Sequence, residues 1–572
     1  MADPSNFFVL IIFLGHFLLV FYDFFPNLKD INFWDEALYV NWGRLLVEGK
    51  LPTFAQNPLL AIFYAVLFLP FRQSPYWLVQ ICSLGRLLMF CLIWLGGYLA
   101  SKEIRRTLNL PIFASLLLVV PLITEVLGNP SDAMFTVMSG FALWQLLVYL
   151  NAQKTKNLLL SSMFVGLAAL ARNDGFVLFA IFLVLSILLS LGAVNAWKKV
   201  LLGLLPFVGL VGGYLLLSGI VSGSFSTGTL QRSYIAFEQG HEIVYEGSGI
   251  HIHTIGAMLD AREKFGSPEE NNYSVLRAIQ RNPSAYFARL KLVLRQLPEQ
   301  ILAVYNKKMA AVLFLAMLWG VVTFIRKKDY RTLAVLLAWP TYLFIYFLTF
   351  FREGYLRTPF LPVFLLVAIG ITTLFERLEK RVERWGISVV LGLLLLSGLV
   401  FNKLAIYYGS LLFLAGMWLV IWVRNRFPDF PNIRSISLVV MLVVGLVLHG
   451  NYSSPKFQRL GINADELASV YLMEHFPRGT KVGAGSPGVV WMAKQEFLAI
   501  IGADVPTFNT SADFHQWLLN EGIQVIYLDY SISNQAPYFW ELIQQESGHG
   551  LTEVFNKNAG SNRIYIVEER RK

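Results

Sequence analysis

The chain has 572 residues, of which 56% are hydrophobic and only 15% are charged. An ordinary soluble domain carries roughly 25% charged residues, so this composition argues against a soluble protein and for a membrane protein. The formal net charge is +10, but residues 451–572 hold 10 Lys and Arg against 13 Asp and Glu, a net of −3, which leaves +13 on the preceding residues. This distribution is typical of membrane topology, and no nucleic-acid partner is expected.

Apolar segments long enough to cross a bilayer recur along the chain. A hydrocarbon core about 30 Å thick needs about 20 mostly apolar residues in a helix. We predict thirteen transmembrane helices, near residues 7–25, 78–100, 108–126, 132–150, 157–171, 175–192, 201–221, 309–325, 332–351, 358–375, 386–401, 405–423 and 435–450. The predicted fold class is a polytopic α-helical membrane protein with a C-terminal soluble α/β domain.

The connections between these helices alternate in charge. Every second connection is basic, and together they hold eighteen Lys and Arg: Lys102, Arg105, Arg106, Lys154, Lys156, Lys198, Lys199, Arg326, Lys327, Lys328, Arg331, Arg377, Lys380, Arg381, Arg384, Arg424, Arg426 and Arg434. The short turns opposite hold four: Arg172, Arg352, Arg357 and Lys403. The positive-inside rule places the basic connections in the cytoplasm. We therefore predict a multi-pass protein of the plasma (inner) membrane, with its N-terminus in the cytoplasm and its C-terminal domain outside.

Three long segments then lie on the outer side, namely residues 26–77, residues 222–308 and residues 451–572. In the first, the apolar run Asn57–Phe71 is short for a membrane span and is typical of a helix in the membrane interface. In the second, Ser267-Pro-Glu-Glu has the features of a helix start, and an amphipathic surface helix is expected to continue from it. We assign residues 1–450 to a membrane domain and residues 451–572 to an outer domain.

The outer domain alternates between short apolar runs and helical patterns. Strands are predicted at Val482–Ala484, Gln524–Asp529 and Arg563–Val567, and helices at Asp465–His475, Ser511–Asn520 and Tyr538–Glu546. Alternating strands and helices predict a small α/β fold.

Acids and arginines collect at the predicted outer ends of four separate segments. They are Asp35 and Glu36; Asp132; Arg172 and Asp174; and Arg352, Glu353, Tyr355 and Arg357. A single charge at a helix end is most simply an interfacial anchor, and Asp132 could cap its helix. Asp35 and Glu36 are different, because two adjacent carboxylates beside lipid are costly to desolvate. The pair suits a general base with a tuning neighbour, and arginine forks suit phosphate oxygens.

The first outer segment resembles the corresponding loop of the GT-C glycosyltransferases. The matching stretch is Asp35-Glu-Ala-Leu-Tyr-Val-Asn-Trp-Gly-Arg-Leu-Leu-Val-Glu-Gly-Lys, followed by Asn57-Pro-Leu-Leu-Ala-Ile-Phe-Tyr. Further matches are Asp132, Gly166-Leu-Ala-Ala-Leu-Ala-Arg-Asn-Asp-Gly175 and Arg352-Glu-Gly-Tyr-Leu-Arg-Thr-Pro-Phe-Leu-Pro362. The closest resemblance is to the protein O-mannosyltransferase and lipid A aminoarabinose transferase branch. The thirteen-helix layout with an outer C-terminal domain resembles the aminoarabinose transferase type, so the resemblance covers most of the chain.

The resemblance implies roles for these residues. Asp35 is expected to be the base that acts on the acceptor, with Glu36 and Asp132 as its partners or as acceptor ligands. Arg352 and Arg357 are expected to hold the phosphate of a polyprenyl-phosphate-linked sugar, together with Tyr355 and Arg172. Where the aminoarabinose relatives carry Lys-Pro-Pro before the loop helix, this chain has Gln56-Asn57-Pro58, so a lysine that could touch the donor phosphate is absent.

A metal site in the second outer segment is a separate hypothesis. His251 and His253 would share one face of an extended segment, and imidazole with nearby carboxylates suits zinc. Their spacing is not diagnostic, and an acceptor-facing loop surface explains the same residues. No cofactor is required by the predicted reaction, and a divalent metal is left open.

The sequence therefore predicts an inverting glycosyltransferase that moves a sugar from a polyprenyl-phosphate carrier to a lipid, glycan or protein acceptor at the outer membrane face. A lipid or glycan transporter is the first alternative, but it would place charges throughout the helix interiors, whereas here they collect at the ends. A non-catalytic membrane scaffold is the second, and it would tolerate loss of Asp35.

Overall fold

A computed structural model describes residues 35–50, 58–74, 77–104, 126–191, 195–223, 228–246, 254–304, 310–351, 353–377, 462–501, 510–528, 550–557 and 562–568, with a few isolated positions. Five predicted membrane helices lie wholly or almost wholly outside these ranges, near 7–25, 108–126, 386–401, 405–423 and 435–450. The predicted helix Tyr538–Glu546 also lies outside them, as do His251, His253 and Arg352.

The described part of residues 1–450 consists of helices and the turns between them. Its helices are α1 (Asp35–Val47), α2 (Pro58–Phe71), α3 (Trp77–Ile104), α4 (Pro130–Ala152), α5 (Thr155–Ala171), α6 (Asp174–Ser190), α7 (Ala196–Ser222), α8 (Thr229–Gln239), α9 (Glu242–Glu246), α10 (Thr254–Phe265), α11 (Val275–Arg281), α12 (Pro283–Val304), α13 (Ala310–Arg326), α14 (Tyr330–Ala338), α15 (Ile345–Leu348) and α16 (Phe360–Arg377). Seven of the eight predicted membrane helices that fall in the described ranges are found there as helices, and the eighth, 332–351, is interrupted.

Four of the described segments are long and apolar enough to cross a membrane: Trp77–Ile104, Pro130–Ala152, Ala196–Val221 and Tyr330–Leu348. The last is not a regular α-helix, because a 3-10 turn, Trp339–Phe344, joins α14 to α15. Pro340 explains the change, since proline removes a backbone donor and clashes with the preceding turn.

Small residues allow the membrane helices to pack closely. A Cβ added at Gly320 of α13 would overlap the carbonyl oxygen of Leu366, and one added at Gly370 of α16 would overlap that of Ala316. Such small-residue contacts are typical of helix pairs in lipid, where close packing replaces the hydrophobic effect as the source of association.

The segment 222–308 differs from its prediction in where the predicted helix begins. Ser267 and Glu270 do form a reciprocal cap, with Ser267 Oγ accepting from Glu270 N at 3.2 Å and Ser267 N donating to Glu270 Oε2 at 3.3 Å. No helix follows, because Asn272 and Tyr273 adopt positive φ angles of 49° and 56° and turn the chain. The predicted helix start at Ser267 is therefore wrong, and α11 begins at Val275 instead.

The C-terminal domain contains a five-stranded mixed sheet. Its elements are α17 (Ile462–His475), β1 (Lys481–Ala484), α18 (Gly488–Met492), β2 (Glu496–Ala499), α19 (Ser511–Asn520), β3 (Val525–Leu528), β4 (Leu551–Lys557) and β5 (Asn562–Val567). The strand order is β2-β1-β3-β5-β4; β2 and β3 run parallel to β1, whereas β5 is antiparallel to both β3 and β4. The three predicted strands are confirmed, and β2 and β4 are additional.

This domain contacts the first outer segment. Trp77 Nε1, at the start of α3, donates to the carbonyl oxygen of Met492 at 3.2 Å. The buried residues Val489 and Met492 of α18 belong to the same hydrophobic core as Trp77 and Phe68. The sheet domain thus packs against the segment that carries Asp35 and Glu36.

Candidate active site

The first part of the site is the beginning of α1. Asp35 is its first residue, and its side chain lies outside the described atoms. Glu36 is completely buried and accepts two hydrogen bonds from Arg86 of α3, from Nη2 at 2.5 Å and from Nε at 3.2 Å. A buried carboxylate requires such a partner, because an unpaired charge is costly to desolvate. Glu36 is therefore held in place directly beside Asp35.

Close packing against α2 fixes the position of α1. A Cβ at Gly43 would lie 2.6 Å from the backbone nitrogen of Ala65 and 2.9 Å from Cβ of Tyr64. Only glycine permits this approach, so α1 and α2 behave as one unit. The ring of Tyr64 in turn meets α3 at Gly85, next to Arg86.

Asp132 lies in the first turn of α4, but it does not cap that helix. The cap is Asn129, whose Oδ1 accepts from the backbone nitrogen of Ser131 at 3.0 Å and from its hydroxyl at 2.8 Å. Pro130 occupies the first helical position, where its missing N–H costs nothing. The Asp132 carboxylate is thereby left available for a partner outside its helix, and it forms an ion pair with Arg172.

Arg172 is the centre of a second, larger cluster. It lies between α5 and α6, and its Nε donates to Asp174 at 2.8 Å while Nη2 donates to the hydroxyl of Tyr346 at 3.0 Å. Its guanidinium also lies 5.1 Å from the ring centre of Tyr355. With Asp132, the guanidinium thus meets two carboxylates, one hydroxyl and one aromatic face, which uses most of its donors.

The tyrosines connect this cluster to the turn that carries the predicted phosphate ligands. The Tyr346 hydroxyl donates to Asp174, and its ring stacks on Tyr355 with centroids 4.1 Å apart and planes 5° apart. Tyr355 belongs to a 3-10 turn, Glu353–Arg357, that ends at the half-buried Arg357. Thr358 fixes the end of this turn, since its hydroxyl lies 2.6 Å from that of Tyr342.

A buried arginine of the second outer segment binds the chain shortly before this turn. Arg289 of α12 is 2% exposed and donates to three carbonyl oxygens, those of Phe237 at 2.8 Å, Leu348 at 3.3 Å and Thr349 at 3.2 Å. Its guanidinium lies 4.4 Å from the ring centre of Phe237. Burial lowers the pKa of Arg289 to about 10. Arg289 lies within the stretch predicted to be an amphipathic surface helix, but its side chain is buried.

The structure thus brings Asp132, Arg172, Asp174 and Tyr355 together, and it places Tyr39 of α1 within electrostatic range of Arg172.

The sequence interpretation missed Arg86, Tyr346 and the burial of Arg289. A signal for Arg86 existed, because it is the single charged residue in the predicted helix 78–100, and a charge inside a membrane helix usually has a partner. Among the described residues, no three His, Cys, Asp or Glu side chains gather as metal ligands.

Comparison with known proteins identifies the fold. No protein-family model matches the chain, and no curated protein sequence matches it significantly. Among solved structures, it is similar to ArnT from Cupriavidus metallidurans in the apo state, with 14% identity, a TM-score of 0.58 and 98% of each chain covered. It is also similar to the same protein bound to undecaprenyl phosphate, with 14% identity, a TM-score of 0.56 and 97% of each chain covered.

A further solved structure is the archaeal oligosaccharyltransferase AglB from Archaeoglobus fulgidus, in complex with an inhibitory peptide and a dolichol-phosphate. It shares 13% identity over all of this chain and 75% of its own, with a TM-score of 0.44. ArnT is a lipid A aminoarabinose transferase, and both proteins belong to the GT-C superfamily. The GT-C fold expected from the resemblance of the first outer segment is confirmed by the full-length match to ArnT.

Proposed function

We propose that this protein is a membrane glycosyltransferase that transfers a sugar from a polyprenyl-phosphate carrier to an acceptor hydroxyl at the outer membrane face. The observation that carries the proposal is the way acids and arginines from separate segments are held in two buried ion-pair clusters. Arg86 fixes Glu36 next to Asp35, and Arg172 fixes Asp132 and Asp174. Such preorganised charges are what a transferase needs where charge develops during the reaction.

In the proposed reaction, the Asp35 carboxylate takes the proton of the acceptor hydroxyl. The acceptor oxygen attacks the anomeric carbon, the bond from that carbon to the phosphate oxygen breaks, and the polyprenyl phosphate leaves with the electron pair. Attack opposite the leaving group inverts the anomeric centre. Arg352 and Arg357 stabilise the departing phosphate, for which a guanidinium fork is well suited.

The other predicted residues take supporting roles in this proposal. Glu36 is bound by Arg86, so it orients and tunes Asp35 rather than acting as the base. The donors of Arg172 are largely used by Asp132, Asp174 and Tyr346, so we propose that Arg172 positions the turn of Tyr355 and Arg357 and does not bind phosphate itself.

The fold shared with ArnT supports a lipid-phosphate donor, because ArnT has been solved with undecaprenyl phosphate bound. We propose the same topology that the basic connections predict, with the N-terminus in the cytoplasm of the plasma (inner) membrane and residues 451–572 as a separate outer domain. The contact between Trp77 and Met492 supports this, because it places the C-terminal domain beside the first outer segment.

Mass spectrometry of lipid-linked sugars tests the proposed function in cells. Without the protein, the polyprenyl-phosphate sugar that it consumes should accumulate and the corresponding glycosylated acceptor should disappear. Loss of a transporter that moves the donor would also deplete the glycosylated acceptor, but it would leave the donor in the cytoplasmic leaflet, whereas loss of the transferase leaves the donor in the outer leaflet. A scaffold would leave both unchanged in amount and in location.

A further inference from the structure

A cleft of about 470 Å³ lies between the first outer segment and the C-terminal domain. Its lining combines the turns that follow α1 and α2 with residues of the C-terminal domain, and consists of Glu48, Phe68, Arg72, Gln73, Ser74, Met473, Arg478 and Lys494. The cleft is separate from the candidate active site, because Glu36 and Glu48 are twelve residues apart along α1 and its following turn. At 1.5 Å per helical residue, that separation is about 18 Å.

The cleft has an excess of positive charge. Three of its lining residues are cations, Arg72, Arg478 and Lys494, and one is an acid, Glu48. Glu48 is already engaged from outside the lining, since Nη1 of Arg44 donates to both of its carboxylate oxygens, at 3.0 and 2.9 Å. Within the described part of the chain, neither Arg72 nor Arg478 forms a salt bridge, so the three cations share one cavity with a single acid, Glu48, which Arg44 already binds.

Lys494 is held in this position by an unfavourable backbone. Its φ angle is +60°, in the left-handed region that side chains other than glycine and asparagine rarely adopt. Its Nζ lies 3.5 Å from the carbonyl oxygen of Arg72. Burial lowers the pKa of Lys494, and the nearby Arg478 and Arg44 act in the same direction, against the smaller opposing effect of Glu48. A strained cation beside like charges is stabilised when an anion occupies the space between them.

The helix that leads to the cleft also has an exposed apolar stripe. Ile62, Val66 and Leu69 of α2 follow one another at helical spacing and are 55%, 64% and 59% exposed. Arg72 follows directly after this helix. An apolar stripe that ends at a cluster of cations fits a lipid, with acyl chains along α2 and the headgroup in the cleft.

We propose that this cleft binds the phosphate group of an anionic lipid headgroup at the outer surface of the membrane in which the protein lies. The cavity volume falls within the range of small-molecule sites, so a phosphate with a small polar substituent fits it. Binding there links the C-terminal domain to the membrane surface, because Arg478 and Lys494 belong to that domain and Arg72 belongs to the first outer segment. The proposal does not depend on glycosyl transfer.

Native mass spectrometry of the full-length protein in detergent tests this proposal. The protein is titrated with phosphatidylglycerol and with phosphatidylcholine of the same chain length, and inorganic phosphate is added as a competitor. The variant Arg72→Gln/Arg478→Gln removes two exposed cations and leaves the core untouched. The control, Arg277→Gln/Lys557→Gln, removes two exposed cations that do not line the cleft. Lys494→Gln is a second variant that tests the strained residue separately.

Wild-type protein should bind phosphatidylglycerol at least about tenfold more tightly than phosphatidylcholine, since each cation at a membrane surface contributes to anionic lipid binding. Arg72→Gln/Arg478→Gln should lose at least about tenfold in affinity, while the control should change less than about twofold. Equal losses in the two double variants would overturn the proposal. If the two lipids bind equally and millimolar inorganic phosphate displaces them, the ligand of the cleft is a soluble phosphate. That result would overturn the proposal of a lipid ligand.

Discussion

Arg172→Met should strongly destabilise the protein, because Arg172 holds two buried carboxylates. The side chains of Arg172, Asp132 and Asp174 are only 13%, 10% and 11% exposed. Removing one partner from a buried ion pair typically costs 3–5 kcal/mol, since it leaves charge without compensation. We therefore expect the free energy of unfolding to fall by about 4 kcal/mol, and by about half as much for Arg172→Lys, which keeps the charge but loses the planar fork.

Reversible unfolding in mixed micelles of a mild detergent and dodecyl sulfate measures this change. The matched control is Arg331→Met, at an exposed position, where we expect less than about 0.5 kcal/mol. The triple variant Arg172→Met/Asp132→Asn/Asp174→Asn removes the carboxylate charges together with the arginine, so it should be more stable than Arg172→Met alone. A loss below about 1 kcal/mol for Arg172→Met, or a triple variant no more stable than the single one, would refute the assignment of Arg172 as the partner of both acids.

Three further outcomes are expected. A cysteine accessibility assay should place Asn451 and Thr53 on one side of the membrane and Lys327 on the other; labelling of Thr53 and Lys327 from the same side would contradict the predicted topology. Arg357→Ala should raise the apparent KM for the lipid-phosphate donor, whereas unchanged donor kinetics in a folded variant would leave Arg357 as an anchor. Burial lowers the pKa of His241 to about 4, below its unfolded value of about 6.5, so the unfolded chain binds more protons between these pH values. Hydrogen exchange should therefore show that the contribution of neutral His241 to the stability of residues 228–304 is fully present above pH 6.5 and falls towards pH 4. A similar pH dependence in His241→Asn would show that His241 is not its cause.

The membrane helices were predictable because length and hydrophobicity decide them locally. The segments 132–150 and 201–221 required no knowledge of their neighbours, and the structure extends each by only a few residues. The interruption at Pro340 is also a local effect. It was missed because the surrounding residues are apolar enough to satisfy a hydropathy pattern regardless of backbone geometry.

The start at Ser267 shows where local signals fail. The cap forms as its residues predict, with Ser267 and Glu270 bonded to each other's backbone. Tyr234 determines the path of the chain around this cap. Its hydroxyl is 2.7 Å from Asn271 Nδ2 and 2.7 Å from the carbonyl oxygen of Gly266. These contacts join residues more than 30 positions apart in the sequence and stabilise a turn. The local sequence around Ser267 therefore could not predict this turn.

The sequence indicated several acids and arginines for the candidate site, but not the pairs that they form. Acids and arginines at helix ends could be recognised from their cost in lipid. Which arginine meets which acid depends on helix packing, and Arg86 pairs with Glu36 from 50 positions away. Tyr346 joins Asp174 from 172 positions away, so its role required the fold.

The most direct test of the proposed chemistry is sugar transfer by purified Asp35→Asn with a polyprenyl-phosphate sugar donor. Asparagine keeps the size of aspartate but cannot take the proton, and general-base catalysis is typically worth about 10²–10⁴-fold. We expect the transfer rate to fall at least about 100-fold while donor binding is retained. The neighbouring variant Glu36→Gln should fall by less, and Asp132→Asn by least. Near-normal turnover by folded Asp35→Asn would contradict the assignment of Asp35 as the base and favour a transporter or scaffold.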